Sequence, residues 1–163
     1  MKKVFLSIVM TMIGFAMNAQ DSNTQTEKGK FVIEANTGSE ATGNTSFRLT
    51  SVNGNTDAAI GLDGGYFVAD DLAVKFGLGS DFGDAFTYKV GGEYYIASKF
   101  PVGVDFTGVS GNGRSSNFVG VQGGYAYFIG EHVSIKPAIR YNIALDEGNN
   151  GVFQGLIGFA IYL

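Results

Sequence analysis

Cysteine is absent from this 163-residue chain, histidine occurs once and proline twice. Without cysteine there is no disulfide framework and no attachment point for a lipoprotein anchor. The one histidine, His132, falls in a short turn, so neither a histidine-based triad nor a histidine metal cluster has a place among the strands. The formal net charge is -4 and no cluster of lysine and arginine occurs, which argues against nucleic acid as a partner. No apolar run reaches the ~20 residues a membrane-spanning helix needs. Glycine is abundant, at 25 residues, but follows no triplet period, and 45% of the chain is apolar. A collagen-like or disordered chain is thereby excluded.

What is present begins with a basic start, Met1-Lys2-Lys3, an apolar stretch Val4–Met17 and the small residue Ala19. That is the pattern of a cleaved secretory signal, residues 1–19. Removing it takes Lys2 and Lys3 away, and the formal charge goes from -4 to -6. Residues 20–29 read as a polar leader and 30–163 as one domain.

The domain is organised around Ile60–Phe82, two alternating arms joined by the polar turn Ala69-Asp70-Asp71. Ile60, Leu62, Tyr66 and Val68 share a face on the first arm, as do Leu72, Val74, Phe76 and Leu78 on the second. The opposite faces hold glycine, alanine and one charge each, Asp63 and Lys75. The unit recurs, in degenerate form, at Tyr88–Phe106 and Val119–Leu145. A strand near Lys30–Thr37 precedes these hairpins and one at Val152–Leu163 follows them. The total is eight, most with room for the ~9–11 residues of a tilted membrane strand. Connections alternate between short turns and longer polar loops. The sequence therefore predicts an all-β, eight-stranded antiparallel up-and-down transmembrane β-barrel. Within the long loop Gly38–Thr56, Ser46–Val52 could form an extra strand turning at Asn53-Gly54-Asn55. Ser110–Asn117 reads as a loop, and Pro137 inside the seventh strand predicts a bulge or local break.

Volume decides which face points inward. An eight-stranded barrel is only just wide enough for side chains to fill, so the small residues belong inside and the large apolar ones outside, against lipid. The charges then line the lumen. Glu34, Asp63, Glu93 and Asp105 stand against Lys75, Lys89, Lys136 and Arg140, with Gln122 and Asn142 among them. Four charges of each sign in so narrow a space predict a paired network that plugs the barrel. A charged channel lining is the alternative. Aromatic residues cluster at both strand ends as interfacial girdles do: Tyr66, Tyr94, Tyr95, Phe100, Tyr127 and Phe128 by the short turns, and Phe82, Phe86, Tyr88, Phe106, Phe118 and Phe153 by the loops.

These hairpins, with Phe153, Ile157, Phe159, Ile161 and Leu163 alternating along the last strand, resemble the small outer-membrane β-barrel family of diderm bacteria, the group with OmpX and the OmpA transmembrane domain. Leu163 stands where that family has Phe or Trp. The resemblance implies an integral monomer in the outer membrane of a Gram-negative cell, with short turns periplasmic and long loops extracellular. It implies outer-membrane lipid and the barrel-assembly machinery as partners. No catalytic, cofactor or metal site is expected, and the role is structural or one of surface recognition, with a narrow porin-like channel as the alternative. Loop 38–56 would face an extracellular partner, with Phe47, Arg48, Leu49 and Arg114 as candidate contacts.

Overall fold

The computed structural model describes residues 24–82, 85–111 and 113–163. The expected export segment 1–19 and most of the loop at Gly83–Ala85 lie outside the described residues. Among the described residues ten strands form: β1 (Phe31–Asn36), β2 (Arg48–Val52), β3 (Asn55–Ala69), β4 (Leu72–Ser80), β5 (Phe86–Ile96), β6 (Phe100–Gly111), β7 (Arg114–Gly124), β8 (Tyr127–Phe128), β9 (Val133–Ala144) and β10 (Val152–Tyr162). Antiparallel pairing runs β1-β10-β9-β7-β6-β5-β4-β3, and β1 returns to β3, from Phe31 opposite Tyr66 to Glu34 opposite Asp63. That last pairing closes an eight-stave barrel. β2 adds to β3 and β8 to β9.

Side-chain parity follows the expected partition. Phe76, Leu78, Val104, Ile139 and Phe159 point outward and are exposed, while Glu34, Asp63, Lys75, Glu93 and Arg140 point inward and are buried. Soluble monomers seldom expose an apolar patch beyond a few hundred Å². Here the apolar face runs round the barrel, so it is the lipid-facing band.

Several details depart from expectation. Ser110–Asn117 is no loop, because β6 and β7 stay paired until Gly111 faces Arg114. A backbone ladder needs no side-chain bulk, and Gly111 and Gly113 supply the positive φ of the turn. Pro137 lies in an unbroken β9, opposite Ile157. The interruption falls on its other neighbour, where β7 stops at Gly124 and β8 resumes at Tyr127. The Tyr125 N–H donates to the Pro137 carbonyl at 3.0 Å, but proline has no N–H to return, and the Ala126 N–H turns to the Lys99 carbonyl at 2.7 Å.

Three of the girdle aromatics face inward instead. Tyr95 and Phe118 are buried in the lumen, and Phe128 packs 5.3 Å from the Tyr162 ring. Parity is the reason: Tyr95 is in phase with Glu93, and Phe118 with Gly120 and Gln122. With Val32, Phe67 and Tyr162, Tyr95 fills the short-turn end as an apolar plug. The described part of the leader crosses that same end. Thr26 donates to Asp71 Oδ1 at 2.6 Å, the Lys28 N–H to Asp70 Oδ1 at 2.9 Å, and Gln25 to the Glu131 carbonyl at 2.8 Å.

Candidate functional site: the lumen

Strand parity sends eight charged side chains into the barrel, and among the described residues they meet in three groups. The central one is a tetrad. Glu34 on β1 accepts from Lys75 on β4 at 2.8 Å and from Lys136 on β9 at 2.7 Å. Glu93 on β5 accepts from the same two lysines at 3.4 and 2.7 Å, so charges alternate around a closed ring. Lys136 also donates to the Tyr95 hydroxyl at 2.9 Å, and its Nζ lies 5.1 Å from that ring's centre. The Tyr95 hydroxyl continues to Tyr162 at 3.3 Å and Tyr162 to Ser134 at 3.1 Å, which ties the tetrad to the apolar plug.

Nearer the long loops, Lys89 reaches Asp63 at 2.8 Å. Arg140 grips Asp105 with both guanidinium arms, at 2.6 and 2.5 Å, while its Nε donates to Asn142 at 2.7 Å. This fork is the geometry that makes arginine the stronger partner for a carboxylate. Glycine makes the room. A Cβ on Gly120 would stand 1.8 Å from Arg140 Nη2. Gln122 joins the groups, donating to Glu93 at 2.9 Å and accepting from Arg140 at 3.1 Å. Among the described residues, each of the four inward carboxylates therefore faces a cation, and each of the four inward cations a carboxylate.

The mouth at the long-loop end is filled from within the chain. After Asn36 the chain leaves the wall, makes a 3-10 turn at Glu40–Thr42 and buries Thr42–Ser46 inside the barrel. Thr45 donates a short hydrogen bond to Asp63. Thr42 and Asn44 each reach Gln154 Oε1 at 3.3 Å, and the Thr42 carbonyl accepts from Thr107 at 2.9 Å. Asn142 donates to the same Gln154 oxygen at 2.8 Å, so the excursion joins the charge network. The expectation that 38–56 projects as one outward loop is corrected. Its first half plugs the mouth, because Gly61 and Gly77 leave a gap that small hydroxyl and amide side chains satisfy.

Gly43 is the tightest point of the plug. Its φ is +69°, and a Cβ there would lie 2.6 Å from the Gly108 backbone nitrogen. Left-handed backbone alone costs a branched residue about 1–2 kcal/mol. Gly43→Val is therefore expected to drive the excursion out of the mouth. Proteinase K added outside vesicles should then cut within 38–47 while sparing the wild type, and equal protection of both would contradict the plug.

Of the loop candidates, Phe47, Arg48 and Leu49 lie at the start of the β2 hairpin, with Phe47 and Leu49 exposed. Arg114 opens β7 at the tip of another hairpin, so the structure does not gather the four into one site. His132 is exposed at a turn, and among the described residues no group of three metal-ligating side chains forms. The voids beside the tetrad measure about 10 Å³ each, room for about one water apiece.

No family model matches the chain and no curated protein does either. Among solved structures, the chain is similar to the N-terminal β-barrel domain of Pseudomonas aeruginosa OprF, at 14% identity and a TM-score of 0.56, over 83% of this chain and 98% of that one. The likeness is one of fold. Two further structures match more distantly. One is from a study of de novo designed transmembrane β-barrels, at 15% identity and TM-score 0.44, over 83% of this chain and 92% of that one. The other is the outer membrane protein OprG of Pseudomonas aeruginosa, at 15% identity and TM-score 0.40, over 85% and 98%.

Proposed function

We propose that the protein is a non-enzymatic, monomeric outer-membrane barrel of a Gram-negative cell, with its short turns in the periplasm and its loops outside. It acts as a closed structural element of the envelope. The observation that carries this reading is the lumen, where among the described residues the eight buried charges pair with one another. The apolar plug, the leader and the Thr42–Ser46 excursion support it from the two ends. Outer-membrane lipid is the constant partner, and assembly would run through the barrel-assembly machinery. Any extracellular partner would meet the hairpin tips, since the first half of loop 38–56 is turned inward.

Single-channel recording of the refolded mature protein in a planar bilayer tests the reading. A silent membrane is expected once insertion is verified by faster migration of unheated protein on SDS gels. Discrete, reproducible current steps would instead establish a narrow channel.

A further inference from the structure

The first stave of the barrel is made of two pieces. β1 pairs with β3 up to Glu34 opposite Asp63, and β2 resumes with Arg48 opposite Ala59. Asn36 and Ser46 are bridged to each other, and the Phe47 N–H donates to the Asn36 carbonyl at 2.9 Å. β2 thus continues β1 along the same edge of β3, with the inward excursion looped out between them. Parity is kept across the gap. Phe47 and Leu49 fall on the outward face with Phe31 and Ile33, and β3 presents Ile60 and Leu62 beside them.

Height shows what that phase does. At ~3.3 Å per residue and a tilt of ~40°, each residue adds ~2.5 Å along the membrane normal. β10, from Phe153 to Leu163, then carries an apolar face ~25 Å tall, the full height of such a band. On β1 the outward face from Phe31 to Ala35 covers only ~10 Å by the same rise. Adding the levels of Phe47 and Leu49 brings the first stave to ~20 Å. Their exposures, 64% and 72%, match the 59% of Phe76 in mid-band. Left in water, these two side chains would keep apolar surface hydrated that lipid would cover.

We propose that Phe47 and Leu49 are membrane anchors, completing the lipid-facing band on the first stave so that the base of the β2 hairpin sits at the acyl-chain boundary of the bilayer and not in water. The occupant of this face is lipid. A protein ligand is the competing outcome. The anchors also hold the start of β2 down beside Asn36, which keeps the ten-residue excursion folded into the mouth.

The chain contains no tryptophan, so single substitutions report without background. Phe47→Trp and Leu49→Trp, made separately in the mature chain and refolded into phosphatidylcholine vesicles with brominated acyl chains, give the test. Phe76→Trp marks the mid-band and Asn150→Trp marks water. The inference holds if either anchor position shows blue-shifted emission and at least half the bromine quenching of Phe76→Trp. It is overturned if both folded variants fall below that mark and follow Asn150→Trp in iodide quenching. The proposal rests on the lipid-facing exterior, and an unquenched Phe76→Trp would show that premise, not the anchors alone, to be wrong.

Discussion

Replacing Arg140 with leucine is expected to lower the stability of the folded barrel by about 3–5 kcal/mol, because it strands a buried carboxylate. Asp105 has Arg140 as its ion-pair partner and takes both of its guanidinium arms. Asn142 and Gln122 also lose a donor each. Leucine fills part of the volume, so the loss reflects charge and hydrogen bonds more than a cavity. Arg140→Lys keeps the charge but not the planar fork, and is expected to lose less. Adding Asp105→Leu to Arg140→Leu should recover much of the deficit, since apolar replacement of a whole buried pair is often neutral. Urea unfolding in vesicles, followed by the heat-modifiable gel shift, reads all three. An unchanged midpoint for Arg140→Leu would remove the network from the account of stability.

How much of this was legible in the chain differs from part to part. The barrel was, because a period of two over long segments separates large apolar residues from glycine and isolated charges, and only the outward phase can hold the large ones. The charged partners were legible for the same reason: Asp63, Lys75, Glu93 and Arg140 all sit in the small-residue phase. Proximity to strand ends assigns Tyr95 and Phe118 to the girdles, but their parity points them inward. Tyr162 carried the same signal through Ala160 and Gly158. The excursion was not legible. Ser, Thr, Asn and Gly at 42–46 look like any surface loop, and their burial depends on a gap left by Gly61 and Gly77 on two other strands. The break at Tyr125-Ala126 was half legible. Pro137 announced a lost hydrogen bond, but which neighbour would yield depended on Lys99 offering Ala126 another carbonyl.

The tetrad makes a sharper forecast than any single ion pair. Lys136→Met preserves length and apolar stem but leaves Glu34 and Glu93 to share Lys75 alone, an uncompensated buried negative charge. A loss of about 3–5 kcal/mol is expected, as for breaking other buried pairs. Tyr95 loses its donor at the same time, which weakens the link to the apolar plug. If charge balance is the cause, neutralising one carboxylate repairs it. Lys136→Met with Glu93→Gln restores neutrality, leaves Lys75 on Glu34 at 2.8 Å, and keeps an oxygen to accept from Gln122. The double variant should therefore be more stable than Lys136→Met alone, a non-additive result that independent packing defects do not produce. Chemical unfolding of the two variants and of Glu93→Gln alone completes the cycle. Should the double variant lose the sum of the two single losses, the four side chains would be separate fillers of the lumen and the closed ring of charges would have no energetic meaning.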